Sequence, residues 1–246
     1  MLLMPPVSLP EDQIVLEGFP YVAWRERVSR ADMLSFVDRA WGSSGPTLVD
    51  RVALGMVVEL SAWDRGMVEL LSRFDADVLL DPVQKLQEIF EPDQGVAPRW
   101  SAGGADLWDG SWVVHIGALL AQGDVDGLHN RVWRAQVREV FPLVDTVRQG
   151  FRRRYRDVLS AALPLTRSFS GRDVVYDTPE RLELAEMVSI LRPHIGAAEL
   201  ELLQSAQTLR CNVAHYTPGT AVLIKTVSDL WEDLSDGSDR HAAPSP

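Results

Sequence analysis

Apolar residues recur at helical spacing over most of this 246-residue chain, and this periodicity limits its fold more than any other feature. Between residues 47 and 63 the apolar positions are Val49, Val52, Ala53, Met56, Val57 and Leu60. Steps of three and four residues place such side chains on one face of an α-helix, and the run is too long for a typical strand. A similar stripe follows residues 197–216. The sequence therefore predicts an all-α protein built as a helical bundle.

Changes in composition divide the chain into four segments. Residues 1–28 begin with the proline-rich stretch MLLMPPVSLP and are expected to form an extended arm. Residues 29–110 are expected to form a helical N-terminal region that ends in a loop rich in Gly, Pro and Asp (residues 91–111). Residues 111–235 are expected to form a helical C-terminal domain, and residues 236–246 a disordered tail.

Start and stop signals predict the helices of the C-terminal domain. One long helix is expected from about residue 127 to 163, capped by Asp124 or Asp126 and bent near Pro142, since proline removes an amide and its ring clashes with the preceding turn. Thr178 followed by Pro179 is a typical helix start. Two further helices are expected over residues 197–216 and 221–234.

Composition and charge exclude several classes of function. The net charge of −11 argues against broad, sequence-blind binding to nucleic acid or an anionic membrane, although it leaves room for a local basic groove. A single cysteine, Cys211, excludes an internal disulfide framework and a cysteine-based zinc site. The start of the chain does not resemble a signal peptide, and no apolar run approaches the roughly 20 residues of a membrane helix. We therefore expect a cytoplasmic protein without membrane association.

Neither a metal nor an organic cofactor is predicted. The glycines of SAGGAD lack both the spacing and the lysine of a phosphate-binding loop. The five histidines never stand four residues apart, which is the spacing of a helical metal pair. They are His115, His129, His194, His215 and His241.

Arginine is concentrated on the predicted long helix. Residues 131–157 contain eight arginines against three acidic residues. One interpretation is a core helix whose arginines pair with neighbouring acids. The other is a phosphate-binding ridge, since the guanidinium group offers two parallel hydrogen bonds to phosphate oxygens. The ridge residues proposed to bind RNA are Arg148, Arg152, Arg153 and Arg156.

The stretch LRCNVAHYTPGT, residues 209–220, contains Arg210 and His215 at the end of a predicted helix. This pattern resembles the Arg-x4–6-His motif of the HEPN superfamily, over roughly residues 125–235. The positions in register are Leu209, Arg210, Asn212, Ala214, His215, Tyr216 and Pro218. One departure is Cys211, which stands where the family commonly has a polar residue, so that the asparagine is displaced to position 212. Cys211 itself is expected to be a small buried residue.

The resemblance implies a HEPN-like C-terminal domain with the activity of a metal-independent endoribonuclease, found in bacterial toxin–antitoxin and anti-phage systems. It implies that Arg210 and His215 are catalytic and that two domains pair so that both motifs face one cleft. The implied partners are RNA, a second copy of the chain, and an antitoxin or an NTPase sensor. Asn212 and Tyr216 are candidates for orienting the phosphate, or equally for capping the loop.

The residues themselves suit this chemistry. An imidazole can move protons between the ribose 2′-hydroxyl and the leaving 5′-oxygen, and an arginine can stabilise the charge that develops on the phosphate. The expected products are a 2′,3′-cyclic phosphate and a 5′-hydroxyl. Two alternatives remain open. Arg210 and His215 can simply bond the free carbonyls of a helix end, and the chain can be a non-catalytic helical subunit that regulates a larger complex.

Overall fold

The computed structural model describes residues 2–4, 21–23, 28–41, 47–89, 104–169 and 171–241. Within these ranges the chain forms eleven α-helices and three two-stranded sheets, so the prediction of a predominantly helical protein is confirmed. The chain divides into two compact units, residues 1–136 and 137–246. The boundary between them lies inside a long helix, whereas the sequence pointed to the loop of residues 91–111.

The first unit contains short strands and mostly short helices. Its elements are β1 (Leu2–Met4), β2 (Tyr21–Ala23), α1 (Arg30–Trp41), α2 (Leu48–Ser61), α3 (Arg65–Leu71), α4 (Ala76–Leu80), α5 (Val83–Ile89), β3 (Ala105–Trp108), β4 (Ser111–Val114), α6 (Ile116–Ala121) and the start of α7 (Val125–Arg154). β1 and β2 form a parallel pair in the predicted N-terminal arm. The rest of that arm, residue 1 and residues 5–20 and 24–27, lies outside the described residues.

Helix α2 lies at the centre of the first unit. Thr47 and Asp50 form a capping box that satisfies amides at its start. The apolar stripe predicted over residues 47–63 is buried along the helix, and α1, α3 and α4 pack against it. Burial on this scale explains why the periodicity was a reliable guide here.

A β-hairpin occupies the end of the segment that the sequence predicted to be a loop. β3 and β4 pair antiparallel around Asp109 and Gly110, which both have positive φ. An Asp-Gly pair favours this two-residue turn, because its twist matches that of the flanking strands. The loop prediction is therefore wrong for residues 105–111, and residues 90–103 lie outside the described part of the chain.

The second unit is built from longer helices. It contains the larger part of α7, then α8 (Arg156–Ala161), β5 (Leu165–Phe169), β6 (Arg172–Tyr176), a 3₁₀ turn (Pro179–Arg181), α9 (Leu184–Leu191), α10 (Ala197–Ala214) and α11 (Ala221–His241). α10 packs against both α9 and α11, and buried leucines and valines fill the space between them. Gly150 of α7 lies against the ring of Trp231 on α11, so close that a Cβ at position 150 would overlap the indole atom Cη2.

The predicted helix of residues 127–163 is shorter and shifted. Asp124 accepts a hydrogen bond from the amide of Gly127, as a cap should, and Pro142 lies inside α7 without ending it. Buried apolar residues on both sides of Pro142 outweigh the loss of one amide donor. The helix ends instead at Arg154, because Tyr155 leaves helical geometry (φ −112°, ψ 26°).

The hairpin of β5 and β6 was not predicted from the sequence. The two strands pair antiparallel from Leu165↔Tyr176 to Phe169↔Arg172, with Gly171 at φ +79° in the turn. The signal was present in Gly171 and in the β-branched pair Val174 and Val175.

Two helix ends also differ from the prediction. Thr178 and Pro179 begin only a 3₁₀ turn, and α9 starts at Leu184 with Glu183 as its N-cap residue. Between them Leu182 is fully buried in extended geometry, and this burial interrupts the helix. At the other end α11 continues to His241 instead of giving way to a tail at residue 236, because adding a residue to a formed helix costs little. Residues 242–246 lie outside the described residues.

Candidate functional site at the end of α10

The motif of residues 209–220 lies at the C-terminal end of α10. The amide of Thr217 donates to the carbonyl of Asn212 (3.0 Å) across a left-handed residue, Tyr216 (φ 61°). This bond and this conformation are those of a Schellman ending, in which glycine is the usual left-handed residue. His215 is the C-cap residue and is exposed, and Tyr216 is 71% exposed. The turn therefore presents both side chains to solvent.

Arg210 lies one turn before this ending and is paired with an acid. Its Nη2 atom is 3.0 Å from Oε2 of Glu183, while Oε1 of the same carboxylate is 3.6 Å from Nη1 of Arg148. Glu183 thus joins the motif arginine to the arginine-rich helix α7. We call these three residues the Arg148–Glu183–Arg210 cluster.

Asp145 holds Arg148 in place from its own helix. Arg148 donates to Oδ1 of Asp145 through Nε (3.2 Å) and Nη2 (3.0 Å), and Gln149 donates to the other oxygen. Partial burial acts to raise the pKa of Asp145, but the hydrogen bonds from Gln149 and Arg148 outweigh it and keep the pKa below its ordinary value. The carboxylate therefore stays charged and fixes the guanidinium of Arg148.

The remaining ridge residues divide into two groups. Arg152 donates to the backbone carbonyl of Glu180 (3.1 Å), which brings it to the turn that precedes Glu183. Arg153 and Arg156 are exposed and form no ion pair with any residue that the structure describes. By contrast Arg131, which the ridge interpretation included, is only 7% exposed. Arg134 and Arg138, earlier on α7, are exposed as well, so exposure is not confined to the end of the helix.

A second carboxylate, Glu199, anchors the end of α7. It accepts a hydrogen bond from the hydroxyl of Tyr155 (2.5 Å) and lies 3.4 Å from Nη1 of Arg154. Burial, together with the hydrogen bond to Glu199, raises the pKa of Tyr155 to about 12. Glu199 also accepts from the amide of Gly196 at the start of α10. This acid is thus committed to the local structure.

The structure brings only part of the predicted site together. Arg210, Arg148 and Arg152 gather around the start of α9, whereas the ring of His215 makes no hydrogen bond or ion pair with the described residues. Asn212 contributes its backbone carbonyl to the helix ending, as described above. The expectation for Cys211 is wrong, because the side chain is exposed. Leu209 and Val213 are buried on the α10 face that packs inward, and Cys211 falls on the other side.

Glu183, which links the arginines of the site, was not predicted from the sequence. The residue stands outside every motif, and its role depends on α9 starting five residues later than Pro179 suggested. An ion pair between residues so distant in sequence leaves no local pattern. The only local hint in the sequence was Leu182, a leucine in an otherwise polar stretch, which the structure buries at the point where the chain bends before α9.

The first unit contains a separate, partly buried pair, Asp64 and His115. Nδ1 of His115 accepts from the amide of Gly117 (3.1 Å), so the ring proton is on Nε2, which donates to Oδ2 of Asp64 (3.0 Å). Oδ1 of Asp64 accepts from the amide of Gly66. Asp64 is the N-cap of α3, and His115 is the N-cap of α6. Because both ring nitrogens are occupied, His115 supports structure here and is not available as a proton carrier.

Comparison with protein-family models, with curated proteins and with solved structures found no match to this chain. In the described part of the chain, no helix is both long enough and apolar enough to cross a membrane. Within the same ranges, no three or more His, Cys, Asp or Glu side chains form a group that could hold a metal ion. The chemistry available near the end of α10 is that of two arginines on one carboxylate and, one turn later on the helix, an exposed imidazole.

Proposed function

We propose that this protein is a metal-independent endoribonuclease of the HEPN type, which cleaves RNA by attack of the ribose 2′-hydroxyl on the adjacent phosphate. The observation that supports the proposal best is the convergence of Arg148 and Arg210 on one carboxylate. Two residues selected from separate stretches of sequence, one as an RNA-binding residue and one as a catalytic residue, meet at one anion position. A phosphodiester carries the same single charge as that carboxylate.

In this proposal Arg210 holds the scissile phosphate and stabilises its developing charge. The guanidinium stays protonated at any physiological pH and can donate two hydrogen bonds to phosphate oxygens. Arg148, fixed by Asp145, contributes a second donor from α7. Together the two arginines can stabilise the extra negative charge of the transition state.

His215 is the proposed proton carrier. Its exposed ring at the end of α10 can accept a proton from the 2′-hydroxyl and, in a second step, return one to the leaving 5′-oxygen. Asn212 and Tyr216 are proposed to orient the phosphate. Only RNA carries the internal nucleophile, so DNA should not be cleaved.

The exposed arginines near the end of α7 are proposed to bind the flanking phosphates. These residues lie near the C-terminal end of α7, which carries Arg148, and outside the buried core. They are Arg152, Arg153 and Arg156. Contacts of this kind give affinity that is independent of base sequence and falls with salt. We further propose a homodimer whose two motifs share one cleft, acting as a toxin or anti-phage effector under the control of an antitoxin or an NTPase sensor.

Replacing either proposed catalytic residue tests the activity directly. Arg210→Ala and His215→Ala should each reduce cleavage of single-stranded RNA by at least about a hundredfold, the usual contribution of a proton carrier or a charge-stabilising donor. Cleavage should persist in EDTA and should yield 2′,3′-cyclic phosphate ends, read by gel and mass spectrometry.

Arg181→Ala is the matched control for this experiment. Arg181 is an exposed arginine of the same unit, and within the described residues it forms an ion pair with Asp177, four residues earlier. The Arg181→Ala variant should cleave RNA at the wild-type rate. Equal cleavage by wild type, Arg210→Ala and His215→Ala would rule out the catalytic assignment.

A second candidate function is that of a non-catalytic subunit in a regulatory complex. The observation in its favour is that Arg210 already has a charged partner, Glu183, as an arginine does when it serves only structure. In that case Arg210→Ala should weaken folding and partner binding, and purified protein should leave RNA intact.

A further inference from the structure

We infer that Glu183 is a built-in competitor of the substrate: its carboxylate occupies the anion position between Arg148 and Arg210, and an RNA phosphodiester displaces it. The identity of the ligand rests on the proposed function. In the resting protein, Glu183 therefore lowers the affinity of the site for RNA, and the substrate must displace this acid to bind.

The cluster has the geometry of an occupied anion site. Each oxygen of the carboxylate faces a different arginine, Oε1 toward Arg148 and Oε2 toward Arg210. The two non-bridging oxygens of a phosphodiester can face two guanidinium groups in the same way, with the same charge. Arg152, held on the carbonyl of Glu180, adds a third guanidinium close to this turn.

Glu183 is held weakly in its present position. Oε2 is buried and accepts no hydrogen bond from the described residues, although Nη2 of Arg210 is only 3.0 Å away. The contact is therefore one of charge without the alignment of a hydrogen bond, and the Arg148 contact is long at 3.6 Å. The side chains of Glu183 and Arg210 are 39% and 42% exposed, a setting in which an ion pair contributes little.

Within the described residues, the Glu183 carboxylate has no ion pair other than those with Arg148 and Arg210. Glu183 is the N-cap residue of α9, yet its side chain makes no hydrogen bond to the helix. Arg148 keeps two hydrogen bonds to Asp145 when Glu183 leaves. Glu199 differs in this respect, because it bonds both Tyr155 and the start of α10. The site can therefore exchange one anion for another without rearrangement of its helices.

Binding of an oligonucleotide that cannot be cleaved tests the inference. A fluorescent 2′-O-methyl RNA strand is titrated with wild type, Glu183→Gln and Glu180→Gln. Glu180 is the matched control, since it loses an equal charge in the same turn while only its backbone carbonyl contacts an arginine. We expect Glu183→Gln to bind about threefold to twentyfold more tightly, because two partly exposed ion pairs no longer compete with the strand, and Glu180→Gln to bind less than about twofold more tightly.

A double variant localises the effect. If Glu183 competes at the arginines, the gain from Glu183→Gln should vanish in an Arg148→Ala and Arg210→Ala background. Glu183→Ala, which removes the side chain beyond Cβ, should also bind the strand more tightly than the wild type. Thermal melting of each variant shows whether it is folded.

Three results would overturn the inference or its ligand. Weaker binding by Glu183→Gln would mean that the acid positions the arginines, and unchanged binding would mean that the oligonucleotide does not use this site. Inorganic phosphate that competes with the labelled strand at equal concentration would overturn the phosphodiester assignment. Because binding is read without cleavage, tighter binding by the variant with no cleavage of natural RNA would refute the enzyme and leave the inference standing.

Discussion

Tyr216 is a residue whose backbone conformation works against the stability of the fold. A left-handed conformation costs a residue with a Cβ atom about 1–2 kcal/mol, and glycine would avoid that cost at the Schellman ending. The ring recovers little by packing, since it is mostly exposed. A costly conformation next to His215 therefore supports a role for the tyrosine ring in binding.

Tyr216→Gly separates these two effects. The free energy of unfolding, measured by urea denaturation, should rise by about 1 kcal/mol because the strain is removed. RNA affinity and cleavage should fall, because the ring that orients the phosphate is lost. Asp109→Gly, at another left-handed position far along the sequence, is the control and should leave cleavage unchanged. A more stable Tyr216→Gly protein with full cleavage would show that the ring has no part in the reaction.

At the scale of elements, the Asp64–His115 pair joins the starts of two helices. Asp64 caps α3 and His115 caps α6, and one hydrogen bond ties the two caps together. That hydrogen bond from His115 is the main cause that keeps the pKa of Asp64 below its ordinary value, against the opposing effect of burial. Since the folded protein favours the charged carboxylate, the pair stabilises the fold above about pH 4 and loses that contribution as the pH falls.

Asp64→Asn tests this linkage. Asparagine can still cap a helix, so the expected loss at pH 7 is about 1 kcal/mol, chiefly from the interaction with His115. The difference from the wild type should shrink as the pH is lowered toward about 3, where the wild-type carboxylate is protonated as well. Urea denaturation at several pH values measures this difference in the free energy of unfolding. Asp124→Asn is the control, because it replaces a helix cap whose hydrogen bond is to the amide of Gly127 and not to a histidine. A difference that is constant with pH would contradict the assignment.

Some of the helices and strands could be predicted from the sequence, and others could not. Periodicity predicted α2, α10 and α11 because their buried faces are long and continuous. It failed at the two hairpins, where each strand is only four or five residues long and the turn residues carry the signal. The end of α7 could not be predicted either, since Tyr155 leaves the helix while bonded to Glu199, a partner distant in sequence.

The candidate site follows the same rule. Arg210, His215 and the arginines of α7 could be selected because they stand in local patterns. The ion pairs through Glu183 could not, because they depend on how α7, α9 and α10 pack. Burial of Arg131 was equally hidden, since a helix rich in arginine gives no sign of which residue faces the core.

For the molecule as a whole, a strongly acidic chain has a local concentration of arginines at one helix end, although exposed arginines also occur elsewhere. The net charge is −11, yet Arg152, Arg153 and Arg156 stand close together near the end of α7 and the start of α8. An acidic remainder repels RNA from other surfaces, so binding should depend on this region. Two such regions facing one cleft would bind a strand more firmly than one, which is consistent with the proposed homodimer.

The proposed composite site requires that active protein be dimeric. Sedimentation equilibrium should give twice the mass of one chain at concentrations where RNA is cleaved. His215→Ala should remain a dimer, because the change removes an exposed ring without disturbing the helix. Full cleavage by a monomer would exclude a shared cleft, and one chain would then have to supply the whole site.

The contact between Gly150 and Trp231 has a consequence for how such a chain can diverge. A Cβ at position 150 would collide with the far end of the indole, so a side chain there requires either a shift of the tryptophan ring or a smaller residue at 231. A relative with alanine or serine at 150 should carry a smaller residue at 231, and one that keeps the tryptophan should keep the glycine. The pair is thus a covariation marker by which distant relatives of this helix arrangement can be recognised, even where the motif of α10 has been lost.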